Sequence, residues 1–425
     1  MIESMASPLP NNLILITNHF PYPTGELFLV NEFPYLLRSF DKVVVLTQSV
    51  SLDRDPVRDS RFSHERINPK TDFTKIVQVT FLGLIHFLTL VTYFLREIRY
   101  LKSTGKRLSL KIATVLFRDQ FKALAIAYAI NHSIKKNQLK GTVIIYSYWF
   151  MASALASLFV RPKDNAVKRI SRAHRADLYE SIQPGGYLSF REVLAEGLDG
   201  IFAVSDHGLE HLKNTLAPRW HPKLHLSRLG TRKPEFFPSP KAGGLTVVSC
   251  STLKPVKRVH LIIEALALVE SLDITWIHFG YGSLQTELEA LIAQKLSSKN
   301  NIHPSIHGAI TNSDLFQFYN HNYVDLFVNT SSSEGIPVSI MEVQSFGIPV
   351  VAMDVGGVGE IVSSETGMLL HPEDSPQKIA KAMTQLLTLP KEQKDRLREN
   401  VLRNWDTRYN AEKNFSTFID KIVSL

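Results

Sequence analysis

The feature that most constrains this chain is the alternation of short apolar runs with longer stretches whose apolar residues recur at helical spacing. The run "NLILIT" (12–17) precedes a turn-rich loop, a helix-like stretch and "KVVVLT" (42–47). Similar runs follow at 141–150, 167–174 and 198–205. Strands that are apolar along their length are typical of parallel sheets covered by helices on both faces. The alternation therefore predicts an α/β fold built on parallel sheets.

The alternation is interrupted by the segment "TRKPEFFPSPKAGG" (231–244), which is rich in proline and glycine, and then starts again. A chain of 425 residues is also too long for one ordinary core. We expect two Rossmann-like domains, residues 1–235 and 236–404, that face each other across a cleft lined by the carboxyl ends of their strands. The segment 231–244 would be the hinge.

The net charge of +8 is unevenly distributed along the sequence. Residues 1–235 carry 32 Lys and Arg against 20 Asp and Glu, whereas the remaining residues carry 16 against 20. This asymmetry predicts that the first half meets an anionic surface, such as nucleic acid or an acidic membrane. A solvated basic face without a partner explains it equally well. The aromatic and basic residues form no RNA-binding signature, so nucleic acid is not expected.

The longest apolar stretch, residues 76–95, has three interpretations. Its length is about that of a bilayer span, but Gln78, His86 and several threonines interrupt it. Basic residues flank it on both sides, as in helices that lie on an anionic membrane. The first interpretation is therefore a helix that lies on an anionic membrane, and the second is a buried core helix. A transmembrane span is the third and is disfavoured, because it would interrupt the α/β pattern.

Cysteine usage and the first residues indicate the compartment. Cys250 is the one cysteine, which excludes an intramolecular disulfide and fits a reducing environment. The first residues lack the basic start and apolar run of a secretory signal. We expect a cytoplasmic protein, with peripheral attachment to the inner face of the cytoplasmic membrane as a further candidate. No metal-ligand spacing is found among the histidines, so no metal site is expected.

Two glutamates lie in the otherwise small and apolar stretch "SSSEGIPVSIMEVQSFGIPVV" (331–351). Pro337 is a favourable first helical residue, which places Glu334 in the loop before a short helix and Glu342 near its middle. The free N–H groups at a helix start form a ready anion site. Carboxylates on both sides could accept hydrogen bonds from sugar hydroxyls. The alternative is structural, with Glu334 as a helix cap and Glu342 in a buried ion pair or facing water.

The longer string "SEGIPVSIMEVQSFGIPVVAMDVGGVGEIV" closely resembles the signature of family-four retaining glycosyltransferases, which have the two-domain GT-B fold. The resemblance implies that Glu334 contacts the donor sugar and that Glu342 holds the ribose. In "CSTLKPVKRVHLIIEAL", Lys257 matches a lysine that grips the diphosphate. The further donor-binding residues implied are Arg258, Gly335, Ile336, Pro337, Val338, Gly280, Gly282 and Gly308. One departure is Thr252, which stands where many members carry an arginine.

The first half is similar to the same family at two places. "NHFPYPTGELFLVNEF" resembles its N-terminal glycine loop, and "SRAHRADLY" resembles the region that places a histidine near the reacting carbon. His174 is the match and is expected to hydrogen-bond the transferred sugar or the developing charge. With Lys257 and Glu334 it completes the implied catalytic set. The implied acceptor-binding residues are Gly25, Glu26, Glu32 and Asp177.

The resemblance implies a metal-independent hexosyltransferase without a cofactor. Its partners would be a nucleotide diphosphate sugar and a glycan or lipid-linked acceptor in surface polysaccharide synthesis, with an anionic membrane surface as a candidate partner. The last segment, about residues 405–425, would cross back onto the first domain. The alternatives are another enzyme of the same fold, such as a nucleotide-sugar epimerase or a phosphorylase, and a non-catalytic membrane-binding scaffold.

Overall fold

The computed structural model describes residues 12–22, 26, 28–48, 61–67, 82–183, 186–240 and 243–425. The chain divides into two compact units. The first comprises residues 1–227 and 415–425, and the second comprises residues 228–414. The division lies ahead of the boundary at 235 expected from the sequence.

The first unit contains a seven-stranded parallel sheet with strand order β3-β2-β1-β4-β5-β6-β7. The two halves of this sheet diverge from β1 and β4, which gives the Rossmann-like arrangement that the alternating pattern predicts. Its strands are β1 (Asn12–Thr17), β2 (Lys42–Thr47), β3 (Phe62–Arg66), β4 (Gly141–Ser147), β5 (Asn165–Ala173), β6 (Gly200–Ala203) and β7 (Leu224–Leu226).

Helices cover this sheet and bury its apolar side chains. The helices are α1 (Leu29–Ser39), α2 (Phe87–Ser103), α3 (Leu110–Lys136), α4 (Ala152–Ser157), α5 (Arg191–Gly197) and α6 (Asp206–Thr215). Serine side chains cap two of them, since Ser109 accepts from the Ile112 N–H and Ser205 from the Gly208 N–H. No helix within the described ranges is long and apolar enough to cross a membrane. Residues 76–81 of the long apolar stretch lie outside those ranges.

The second unit contains a six-stranded parallel sheet with strand order β10-β9-β8-β11-β12-β13. Its strands are β8 (Leu245–Cys250), β9 (Ile274–Phe279), β10 (Ile302–His307), β11 (Leu326–Asn329), β12 (Val350–Met353) and β13 (Gly367–Leu370). Its helices are α7 (His260–Ala267), α8 (Gln285–Leu296), α9 (Asn312–His321), α10 (Val338–Ser345), α11 (Val358–Ile361), α12 (Pro376–Leu387) and α13 (Lys391–Arg408).

The chain leaves and re-enters the first unit by adjacent segments. Thr231 donates its N–H to the Tyr409 carbonyl at 2.9 Å, and Ala411 donates to the Thr231 carbonyl at 3.0 Å. The final helix, α14 (Ala411–Ser424), then places Phe418 and Ile422 in the apolar core of the first sheet. The end of the chain therefore completes the core of the first unit.

Candidate functional site

An ion pair joins Lys257 and Glu334, the two residues of the second unit that are predicted to be catalytic. The Lys257 amine lies 2.6 Å from Oε1 of Glu334. The residues are 77 positions apart and meet because their loops follow β8 and β11, which are neighbouring strands. The Asn329 amide donates weakly to the same carboxylate at 3.4 Å. The structure thus brings Lys257 and Glu334 together at the carboxyl ends of these strands.

Arg258 joins neighbouring loops of the second unit. Its backbone is left-handed, with φ 46°, and its guanidinium donates to the carbonyls of Thr330 at 2.9 Å and Pro372 at 2.8 Å. The Thr330 hydroxyl donates back to the carbonyls of Lys257 and Arg258. The Arg258 side chain therefore connects the loops that hold Lys257, and its direct contact with the diphosphate stays a prediction.

Helix α10 begins at Val338, shortly after Glu334, and its start offers unpaired donors. Pro337 is its N-cap with extended backbone, so the helix starts at Val338, one residue later than predicted. Within the described part of the chain, the N–H groups of Gly335, Ile336 and Val338 donate to no protein group. The positive end of the helix dipole adds to these donors. The loop and the helix start are therefore suited to an anion.

Glu342 lies inside α10 and is 6% exposed. Burial raises the pKa of its carboxyl to about 7, although a hydrogen bond from Asn312 and the charge of Arg232 oppose the shift. The Asn312 amide donates to Oε1 at 2.5 Å. Asn312 is the first residue of α9, and nothing in its sequence context singles it out. A carboxyl with this pKa can both donate and accept hydrogen bonds near neutral pH.

Glycines allow three close backbone approaches around these residues. A Cβ on Gly280 would lie 1.8 Å from the Ser251 carbonyl oxygen, and one on Gly282 would lie 2.3 Å from that of Leu253. Gly356 has φ 57°, and a Cβ there would lie 2.0 Å from the Glu334 carbonyl oxygen. A Cβ on Gly308 would meet open space. The first three glycines are thus explained by backbone packing, and the donor-binding role of Gly280, Gly282 and Gly308 stays a prediction.

In the first unit, His174 follows β5 and lies in an aromatic pocket. Its ring centroid is 4.7 Å from that of Tyr148 and 4.8 Å from that of Trp149. Burial lowers the pKa of His174 to about 3, and the charge of Arg172 acts in the same direction. Neither ring nitrogen has a hydrogen-bond partner in the described residues. The low pKa favours the neutral imidazole, whose Nδ1 lies 4.0 Å from Oδ2 of Asp177.

Two further carboxylates of the first unit, Glu26 and Asp177, accept hydrogen bonds from the protein itself, and their role as acceptor ligands stays a prediction. Glu26 accepts from the N–H groups of residues 18, 19 and 20 and from the Trp149 indole. Asp177 is fully buried and accepts from the N–H groups of Phe150 and His174. Both carboxylates hold loops at the ends of β1, β4 and β5. Gly25 lies outside the described residues.

Glu32 is part of a buried polar network that the sequence did not indicate. Its Oε1 accepts from the Tyr146 hydroxyl at 2.9 Å, and its Oε2 lies 3.1 Å from the Arg172 guanidinium. Arg172 also donates to Tyr146 and stacks over the ring of Phe418 in α14. All these groups are inaccessible to solvent or nearly so. The fold thus gives Glu32 two partners within the protein, and its acceptor contact stays a prediction.

The first unit also contains a cavity of about 300 Å³ that no sequence pattern predicts. Its lining joins α3 to the segments after β4 and before α5, which are far apart in sequence. It is lined by Arg118, Asp119, Lys122, Met151, Ala152, Gln183, Tyr187, Leu188, Ser189 and Arg191. The described residues contain no cluster of His, Cys, Asp and Glu able to hold a metal ion.

Residues 232–403, which lie within the second unit, match the family described as glycosyl transferases group 1. Among curated proteins, the putative colanic acid biosynthesis glycosyltransferase WcaL of Escherichia coli (strain K12) is 26% identical over 196 residues. The match covers 44% of this chain and 47% of WcaL. The chain thus spans about half the length of the curated relatives that it matches first.

Solved structures resemble the chain over almost its whole length. Anabaena HepE in complex with UDP has a TM-score of 0.64 and 16% identity, covering 98% of this chain and 100% of HepE. Sucrose-phosphate synthase from Thermosynechococcus elongatus has a TM-score of 0.66 and 14% identity, covering 96% and 97%. The prediction of two Rossmann-like domains of the GT-B type is confirmed at the level of fold.

Proposed function

We propose that the protein transfers a hexosyl group from a nucleotide diphosphate sugar to a glycan or lipid-linked acceptor, with retention of configuration. The observation that carries the proposal is the Lys257–Glu334 pair, 2.6 Å apart, directly ahead of the unpaired N–H groups that open α10. A cation and a helix start next to one carboxylate suit a ligand that combines phosphates with hydroxyls.

The diphosphate would lie between the Lys257 amine and the N–H groups of Gly335, Ile336 and Val338. These donors stabilise the negative charge that the nucleoside diphosphate gains as it leaves the sugar. Because a lysine and a helix dipole supply this positive charge, the proposal requires no metal ion and no cofactor.

The two glutamates would hold the two hydroxyl-bearing ends of the donor. In this proposal Glu334 accepts from hydroxyls of the sugar while Lys257 turns from Glu334 toward the phosphates. Glu342, whose carboxyl is supported by Asn312, accepts from the ribose. His174 would act as a neutral hydrogen-bonding group toward the sugar, because its low pKa keeps it uncharged.

The relatives favour glycosyl transfer over the epimerase and phosphorylase alternatives. WcaL is described as a glycosyltransferase of colanic acid biosynthesis, and HepE was solved with UDP. We therefore propose a uridine diphosphate sugar as the first donor to test and a surface polysaccharide precursor, handled in the cytoplasm, as the acceptor class. The cationic cavity lined by Arg118 and Arg191 is the proposed place for an anionic part of the acceptor.

The test is calorimetric titration of the purified protein with a panel of nucleotide diphosphate sugars. We expect saturable binding of one donor and about 10–100-fold weaker binding by Lys257→Ala, because a charge-assisted contact to phosphate is removed. The matched control is Lys295→Ala on the exposed face of α8. Equal affinity of both variants, or no donor binding at millimolar concentration, would contradict the proposal and favour a non-catalytic scaffold.

A second measurement separates transfer from epimerisation. An epimerase releases an altered sugar or nucleotide sugar from the donor alone, whereas a transferase passes the sugar to an added acceptor. Incubation with radiolabelled donor, with and without a polyprenyl-phosphate-linked glycan, distinguishes the two by the position of the label.

A further inference from the structure

The helices α2 and α3 present an unusual surface in the first unit. Along α2, the side chains of Leu84 (just ahead of the helix), Leu88, Val91 and Leu95 follow one another at helical spacing and are exposed. Leu88 is 78% exposed. Contiguous exposed apolar surface of this kind marks an interaction site rather than ordinary solvated surface.

The opposite side of α2 is firmly packed, so the exposed stripe is not the result of a loose helix. Glu97 is buried and accepts from the Tyr187 hydroxyl and the Phe190 N–H. The Gln120 side chain of α3 donates to the Leu90 carbonyl at 3.0 Å. The rings of Phe94 and Phe117 stack with centroids 5.2 Å apart. The two helices therefore form one supported unit with an outward face.

Helix α3 and the preceding loop extend the same kind of surface. Leu110, Phe117 and Phe121 are exposed at helical spacing, and Leu110 is 86% exposed. Leu108 in the loop before the helix is also exposed. We call the exposed apolar residues of α2, α3 and their loop, with the basic residues beside them, the α2–α3 face.

Basic residues continue the apolar stripes of the α2–α3 face. On α2 the exposed Arg99 and Lys102 follow Leu95 at helical spacing. Arg107 and Lys111 are exposed in the loop and at the start of α3. None of these four has an ion-pair partner among the residues that the structure describes. Residues 82–122 contain eight Lys and Arg against two Asp and Glu.

We propose that the α2–α3 face docks the protein on an anionic lipid surface. Apolar side chains that enter the headgroup region, bordered by unpaired lysines and arginines, are the chemistry of an interfacial helix. A second copy of the chain is a poorer occupant, since a two-fold contact would set the same cations against each other. The cavity lined by Arg118 and Lys122 adjoins this face, so an acceptor held there would lie near the lipid headgroups.

The test measures binding of the full chain to sedimented vesicles, one set of phosphatidylcholine and one with about a third phosphatidylglycerol. Because no nucleotide sugar is present, the outcome is independent of the proposed transferase activity. We expect binding to the anionic vesicles and weak binding to the neutral ones. Arg99→Ala with Lys102→Ala should lower the partition coefficient about 25-fold, from roughly fivefold per cation near the surface.

Leu88→Ser with Leu110→Ser should lower the partition coefficient by at least about tenfold, because both side chains leave the apolar interface. The matched controls are Leu268→Ser and Lys295→Ala with Lys381→Ala, which change exposed residues of the second unit. All variants alter exposed side chains, and equal melting temperatures verify folding. The proposal is overturned if the wild-type protein does not bind anionic vesicles, or if the control variants lose as much binding as the variants of the α2–α3 face.

A reporter variant gives a readout that does not depend on loss of binding. Phe117→Trp should shift its fluorescence emission to shorter wavelength with anionic vesicles and be quenched by brominated lipid. No quenching despite binding would place the contact elsewhere and overturn the assignment of the α2–α3 face. Sedimentation velocity tests the remaining occupant, a second copy of the chain. A wild-type dimer that becomes a monomer in the variant Leu88→Ser with Leu110→Ser would show that the face mediates self-association instead.

Discussion

The two units use acidic residues in opposite ways. In the first, Glu32 and Asp177 are fully buried, and Glu26 nearly so, with their oxygens taken up by backbone N–H groups, an indole, a tyrosine or an arginine. In the second, Glu334 contacts Lys257 and, weakly, Asn329, and Glu342 contacts one asparagine side chain. The difference teaches that the fold surrounds the carboxylates of the first unit with several protein partners, whereas those of the second unit have fewer.

The largest expected effect is on stability and concerns the buried carboxylates of the first unit. Glu32→Ala leaves Arg172 buried without its counter-charge, and we expect a loss of about 3–5 kcal/mol in the free energy of unfolding. Urea denaturation measures it. Glu334→Ala is the matched change in the second unit and should cost about 1 kcal/mol, because its partner is partly exposed to water. Equal losses would break the comparison.

Glu342 supplies a pH-dependent test with the opposite sign. Its folded pKa of about 7 lies above the unfolded value of 4.5, so its contribution to stability is fully present below pH 4.5 and is lost as the pH rises through 7. Glu342→Gln should therefore stabilise the unliganded protein at pH 8 by up to about 3 kcal/mol and change little at pH 4.5.

The same variant should bind the nucleotide sugar more weakly than wild type, because an amide accepts fewer hydrogen bonds from the ribose than a carboxylate. Denaturation at the two pH values and calorimetry at pH 8 check both halves of this prediction. If the variant instead loses stability at pH 8, Glu342 stabilises the fold in the same way as Glu32.

Gly356→Ala is expected to have an intermediate effect. The substitution combines a left-handed backbone, φ 57°, with a Cβ 2.0 Å from the Glu334 carbonyl oxygen. We expect a loss of about 1–3 kcal/mol in stability and displacement of the Glu334 loop, with weaker donor binding. Thermal unfolding measures the stability, and calorimetry measures the donor affinity. Unchanged values for both would show that the loop accommodates the methyl group.

The smallest expected effect on stability belongs to Gly308→Ala. A Cβ at Gly308 meets no atom within 4 Å, so stability should change by less than about 0.5 kcal/mol. If Gly308 lies behind the nucleotide base, the added methyl group should nevertheless weaken donor binding in calorimetry. Unchanged affinity would remove Gly308 from the predicted donor site.

Much of the fold could be predicted because central strands are apolar along their length. β1, β2, β4 and β6 coincide with or lie within the runs identified in the sequence. β3 was not identified, because "FSHER" is a half-buried edge strand with an almost entirely polar sequence. Short edge strands carry little periodic signal, and their pairing is decided by neighbours distant in sequence.

The site was predictable where a local string encodes it, and not where distant residues meet. Glu334, Gly335 and the start of α10 lie in one such string. The pairs Glu32–Arg172 and Asn312–Glu342 depend on strands and helices brought together by the sheets, so no local pattern shows them. The burial of Glu32 is likewise a tertiary property that no local pattern shows.

The return of the chain to its first unit has a consequence for biosynthesis. The core of that unit lacks Phe418 and Ile422 until the ribosome has also made residues 228–414, which form the second unit. At 5–20 residues per second this takes roughly 10–40 s. The half made first is thus completed last, and during this interval the apolar side chains that pack against Phe418 and Ile422 are not yet covered by the last helix.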